Sequence, residues 1–83
     1  METKTNELLR RITANPKIFG GKPIIRNMRI SVEMILGLLA QNVTIEEILE
    51  DYPDLEHDDV LACITYAHAV LANESLEEIK ITQ

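Results

Sequence analysis

Four sets of residues carry side chains or spacings associated with chemistry. The first is Gly20-Gly21-Lys22-Pro23, which has the Gly-Lys step of a phosphate-cradling loop. A Walker loop needs Ser or Thr after the Lys and a second Gly five residues before its Gly-Lys. Pro23 and Pro16 stand at those positions, so the segment reads as a turn. The second set is His57 and His68. They lie about three helical turns apart, too far to chelate one ion, and no Cys/His cluster accompanies them. The third is Cys63, placed mid-helix among apolar residues and read as packed rather than reactive. No nucleophile, base and orienting group converge anywhere in the sequence. The expectation is therefore a protein that is not an enzyme, with no cofactor and no metal.

The fourth set, Arg26 and Arg29, is more informative. The segment Ile25-Arg26-Asn27-Met28-Arg29-Ile30 reads as a hairpin in which Asn27 takes the positive φ that a tight turn requires. The two arginines then flank a two-residue turn as cross-strand neighbours, and like charges placed opposite each other are destabilising. They need an anion. It is either nucleic-acid phosphate or the acidic start of the last long helix, in the same chain or in a partner.

The elements that must position these residues follow from periodicity. Residues 1–11 are polar apart from Leu8 and Leu9 and read as an N-terminal arm, frayed at its start. From Ile12 to Ile30 turn formers (Asn15-Pro16, Gly20-Gly21, Pro23, Asn27) separate short β-prone pieces, which predicts a β-ribbon over 12–30. A two-stranded ribbon is marginal alone, so it must lie on the helices or pair with a second copy. Ser31 is an N-cap for a first helix with the stripe Val32, Ile35, Leu36 and Leu39, which Asn42 closes in a left-handed conformation. Thr44-Ile45-Glu46-Glu47 is a capping box for a second helix, with Val43 and Ile48 as its staple and Pro53 at its end. A third helix runs from near Glu56 to about Asn73, giving a three-helix bundle over 31–73 and a C-terminal tail over 74–83. The fold class expected is mainly α. It is a three-helix helix-turn-helix domain preceded by a short N-terminal β-ribbon, all in one domain spanning 1–83.

Composition bounds the class. The chain has 83 residues, one cysteine and a formal charge of −6, too short for more than one core and unable to form an internal disulfide. Its apolar runs are far short of a membrane span, and no signal-peptide pattern is present. A cytoplasmic protein is expected. Residues 1–30 carry seven basic residues against Glu2 and Glu7, a net of +5, whereas residues 31–83 carry Lys80 against twelve acids, a net of −11. This asymmetry describes a basic arm on an acidic body. The arm either binds an anionic partner or neutralises the acidic body.

A helix-turn-helix reader would place the start of its third helix against base edges. Here that start is Glu56-His57-Asp58-Asp59, which would repel phosphate, although it suits the helix macrodipole. Any DNA contact is therefore expected from Arg10, Arg11, Lys22, Arg26 and Arg29. From Val60 to Asn73 no formally charged residue occurs and apolar side chains go all the way round, the pattern of a buried helix. Two short helices and a ribbon cannot cover it all. A homodimer interface is expected at Val60, Ile64, Tyr66, Ala67, Val70 and Leu71.

The runs Arg11-Ile12-Thr13-Ala14-Asn15-Pro16, Gly20-Gly21-Lys22-Pro23-Ile24-Ile25-Arg26 and Arg29-Ile30-Ser31-Val32 resemble the domain-of-unknown-function family 433. So do Tyr52-Pro53-Asp54-Leu55, Asp58-Asp59-Val60 and Tyr66-Ala67 in the helical half. Asn27 and Asn42 stand where that family usually has Gly, and Asn can adopt the same left-handed conformation. The resemblance implies a homeodomain-like three-helix domain with a β-ribbon, and a Vap-type antitoxin that binds and neutralises a PIN-like ribonuclease toxin and can bind its own operator DNA. In that reading the tail residues Leu76, Ile79 and Ile81 order on the toxin. The alternative is a dimeric protein-interaction module that never touches nucleic acid. Pairing of Arg26 and Arg29 with Glu56, Asp58 or Asp59 would favour the alternative.

Overall fold

The computed structural model describes the backbone of residues 2–82 and the side chains of residues 4–72. In chain order it contains α1 (Glu2–Leu9), β1 (Ile12–Thr13), a single 3-10 turn (Phe19–Gly21), β2 (Ile24–Ile25), α2 (Val32–Ala40), α3 (Ile45–Asp51) and α4 (His57–Thr82). The mainly helical class with an N-terminal ribbon is as expected, and α2, α3 and α4 are the three expected helices. Two ends differ. The segment read as a frayed arm is the helix α1, which packs against α4 and anchors there through buried Leu8. At the other end α4 continues past Asn73 to Thr82, through the segment read as a tail.

The capping residues act as their types predict. The Met34 N–H donates to Ser31 Oγ at 3.0 Å. At α3 the Glu47 N–H donates to Thr44 Oγ1 at 3.1 Å, and Glu47 Oε1 accepts from the Thr44 N–H at 2.8 Å. This reciprocal pair is the predicted capping box. Asn42 has φ 70° and ends α2 as expected.

The ribbon forms, with its turn one residue earlier than predicted. β1 and β2 pair antiparallel, Ile12 opposite Ile25 and Thr13 opposite Ile24. On the other side of β2 the chain returns: the Ile25 N–H donates to the Ile30 carbonyl, and Ile24 bridges Ser31. The tight turn is closed by the Met28 N–H on the Ile25 carbonyl at 2.8 Å. Its central residues are Arg26 (φ 45°) and Asn27 (φ 60°), both left-handed as a type I′ turn requires. Arg26 therefore sits in the turn and is not the cross-strand neighbour of Arg29. The Asn27 N–H is anchored on Thr13 Oγ1 at 2.9 Å, and Asn27 Oδ1 accepts from Asn15 Nδ2. The glycine pair is a turn, with Gly20 and Gly21 at positive φ.

The core is a cluster of Ile25, Val32, Ile35, Ile48, Leu55, Val60 and Cys63, drawn from β2, α2, α3, the connection after α3, and α4. The inward face of α4 is thus set by Val60 and Cys63, with Asp59 and Ala62 also buried. Val60 has no exposed surface, which corrects its assignment to a dimer interface. An all-round apolar helix offers no periodic signal for which face turns inward, and the packing of α2 and α3 decides it. Replacing Thr44 by Ala removes the α3 cap and should destabilise the fold by about 1 kcal/mol, a fall in melting temperature of roughly 4–8 °C. Thermal unfolding followed by circular dichroism checks this.

Candidate functional site

At the start of α4 one carboxylate gathers two of the five arginine and lysine side chains expected to meet DNA. Asp59 is fully buried and occupies the third position of the helix. Its Oδ2 accepts from the Glu56 N–H at 2.8 Å, while the Asp59 N–H donates to the Glu56 carbonyl. That is the acidic half of a capping box. Arg26 grips the same carboxylate with a fork, Nε to Oδ1 at 3.0 Å and Nη2 to Oδ2 at 2.7 Å, and Nη2 also donates to the Asp54 carbonyl. Arg11 Nη1 donates to Oδ1 at 3.0 Å and to Glu56 Oε1 at 2.7 Å. The four acceptor sites of the carboxylate are filled. Asp58 adds longer contacts to Arg11 and to Lys4.

Burial by itself would raise the Asp59 pKa. The hydrogen bonds from Arg26, the Glu56 N–H and Arg11, with the charge of Arg26, outweigh it and hold the carboxyl below the usual range. The guanidinium of Arg11 is pushed up by its bonds to Glu56 and then Asp59, and that of Arg26 by its bonds to Asp59. Among the described side chains no buried nitrogen or oxygen lacks a partner. Of the two anions that the sequence left open, Arg26 thus has the acidic helix start of its own chain. The remaining candidates lie elsewhere. Arg10 and Arg29 are exposed, and neither has an ion pair among the described residues. Lys22 is exposed and 3.0 Å from Glu33, an arrangement worth little in water.

The other residues with chemical potential stay apart. Cys63 is buried in the core, and burial together with the charge of Asp59 pushes its thiol up to about 12, so it stays protonated. His57 and His68 are exposed, and no group of three metal-ligating side chains occurs among the described residues. No helix among the described residues is long and apolar enough to cross a membrane.

The second feature is a groove of about 400 Å³ between α2 and the middle of α4. Val32, Leu36, Tyr66, Ala67, Val70 and Leu71 form its walls, Pro23 contributes from the ribbon side, and Glu33 is the one charged residue in the lining. It brings together four of the six residues expected at a dimer interface: Tyr66, Ala67, Val70 and Leu71. Ile64 is exposed on the same helix but does not line the groove, and Val60 is in the core. The expected partner-binding residues Leu76, Ile79 and Ile81 fall outside the described side chains. Sequence reasoning offered Asp59 together with Glu56 and Asp58 as the acceptor of Arg26 without choosing among them, and it missed Arg11 as a second donor and the contribution of Pro23, Val32 and Leu36 to the groove. For Arg11 the signal was present in the basic residues that open the chain beside an acidic helix start. For the groove residues there was none.

Comparison with known proteins places this arrangement among relatives. The sequence profile of a family described as protein of unknown function (DUF433) matches residues 12–67. The uncharacterized protein y4eO of Sinorhizobium fredii (strain NBRC 101917 / NGR234) is 31% identical over 58 residues, 70% of this chain and 26% of that protein. The chain thus spans about a quarter of that curated relative. The crystal structure of a DUF433 member protein from Anabaena variabilis ATCC 29413 is similar with a TM-score of 0.67 and 26% identity, over 99% of this chain and 78% of that one.

The ion cluster makes two predictions. Arg26→Ala should destabilise the fold by about 2–4 kcal/mol, and Arg11→Ala with Arg26→Ala by more than either alone, because an unpaired buried carboxylate remains. Because the Asp59 pKa is depressed in the folded state, its contribution is complete above the unfolded carboxylate value of about 3.9 and is lost as pH falls through the folded value. Urea unfolding at stepped pH should show stability dropping below about pH 4 in the wild type, and a shallower drop in Asp59→Asn.

Proposed function

The chain belongs to the family of proteins of unknown function DUF433, and from that premise we propose that it is a non-enzymatic protein-interaction module of antitoxin type, acting as a cytoplasmic homodimer. The observation that carries this reading is the intramolecular capture of Arg11 and Arg26 by Asp59. Two of the five cations that would have formed a DNA-binding ribbon are committed to the fold. Much of the basic half of the sequence therefore neutralises the acidic helix start instead of presenting a positive field. The PIN-like ribonuclease toxin is the partner that the family resemblance implies, and the C-terminal segment over 74–83 is the part of the chain that binds it in this reading.

Two measurements test it with the full chain. Co-expression with the product of the adjacent gene at moderate salt should yield a stable complex, weakened when residues 75–83 are deleted. Fluorescence anisotropy with DNA from upstream of the protein's own gene should show no preference over random DNA. The reading fails if that DNA binds specifically with a steep salt dependence, log K falling by about 0.9 per phosphate neutralised, and if Arg10→Ala with Arg29→Ala abolishes the binding. Those two arginines lie outside the ion cluster, so their loss leaves the fold intact.

A further inference from the structure

We propose that α1 is a strap that folds and docks on α4 in one step, and that it opens as a unit about Arg10 while the ribbon and the other helices stay packed. Such a device goes beyond the interaction-module reading and needs no partner. The first reason is length. An isolated helix shorter than about 12–15 residues is marginal in water even when it is rich in alanine. α1 has eight residues, and three of them, Thr3, Thr5 and Asn6, are poor helix formers. Docking on α4 has to supply what the local sequence lacks.

That docking is narrow. Among the described side chains of α1, Lys4 to Glu7 are exposed, Leu9 is half-buried and Leu8 alone is buried. The core cluster and the partly buried side chains packed on it include neither leucine, so α1 meets α4 outside that cluster. Its one ion pair among the described residues, Lys4 Nζ to Asp58 Oδ2 at 3.7 Å, joins side chains that are 61% and 39% exposed. Such pairs add little. Two residues beyond α1 the situation reverses. Arg11 is fastened to Glu56 and Asp59, so the chain is held firmly at the foot of the strap and loosely along it. Between the two lies Arg10, exposed and without an ion pair among the described residues. A weakly held segment next to a fixed point opens locally before the domain unfolds. Opening turns Leu8 and the α4 surface beneath it toward water, beside Asp58, so the strap controls access to that surface.

Native-state hydrogen exchange of the full chain, read by nuclear magnetic resonance, tests the proposal. The α1 amides from Glu7 to Arg10 should share one protection factor of roughly 10–100, about 100-fold or more below those of Ile35, Ile48 and Cys63, and low urea should leave it unchanged. Leu8→Ala should bring the α1 factor down to about 1–3, while the Ile35, Ile48 and Cys63 amides stay protected about 100-fold or more. Lys4→Glu should lower the α1 factor about two- to fourfold at low salt, with no difference from wild type at about 1 M sodium chloride. Equal protection in α1 and in the core overturns the proposal, because α1 then opens only with the whole domain. Protection that rises step by step from Glu7 to Arg10 also overturns it, since that is the fraying of a helix end. So does a Leu8→Ala chain whose α1 amides keep their protection or whose core amides lose theirs. None of these results depends on DNA binding or on a partner protein, so the strap and the interaction-module reading can fail separately.

Discussion

Everything in the ribbon and at the start of the long helix depends on keeping one buried carboxylate satisfied. An ionised Asp in a water-free site costs several kcal/mol unless its acceptor sites are filled. Asp59 fills them with one backbone N–H and three guanidinium N–H groups. Each donor comes from a different part of the chain: the residue preceding α4, the tight turn of the ribbon and the junction between α1 and β1. The cluster therefore fixes three elements relative to one another, in a domain with no internal disulfide to do so. Placing Arg26 at φ 45° carries a conformational cost of about 1–3 kcal/mol for a residue with a Cβ. The bidentate grip on Asp59 offsets it.

The charge asymmetry of the sequence acquires a different meaning from this. A run with a net of +5 beside one of −11 describes either an anion-binding arm or two halves that neutralise each other. Arg11, Arg26 and Lys4 all approach the acidic start of α4, and Lys22 meets Glu33. Four of the seven cations in residues 1–30 thus have their counter-ions in the same chain. The acids at the beginning of α4, unsuited to a recognition helix, serve a capping and anchoring role there. One arrangement accounts for both the excess of cations early in the chain and the acids that open its last helix.

Local chemistry made much of this fold legible. Ser31, the Thr44–Glu47 pair and the left-handed Asn42 act within a few residues of themselves, and each marks a helix end where expected. Features set by distant partners were not legible. Leu8 is buried in a helix that packs against α4, a long-range contact that a short polar segment does not announce. The hairpin turn moved by one residue because Asn27 tolerates positive φ at either central position, and Asp59 decides the choice by holding Arg26. The burial of Val60 rather than Leu71 depends on which side of an all-apolar helix meets α2 and α3, and periodicity carries no information about that. Among the three acids opening α4, only Asp59 faces inward fully, a matter of helical phase.

The residues by which the chain resembles its family bear on what that resemblance can say. Arg26 and Asp59 lie within residues 12–67, the segment that the family profile matches, and Arg11 stands one residue before it. Asn15 and Asn27, which brace the ribbon, lie there too. The matched segment thus includes most of the groups that build the ion cluster and hold the ribbon on the helices. A likeness carried by such residues speaks to a common architecture, whatever each member binds. The exposed part of the groove has a different position. Val70 and Leu71 lie beyond the end of the matched segment, on the stretch of α4 that the ion cluster does not reach. The constraint that fixes the fold and the surface available for a partner are therefore separate along the chain. Side chains at the second can vary in size or charge without disturbing Asp59, and one architecture can present different faces to different partners.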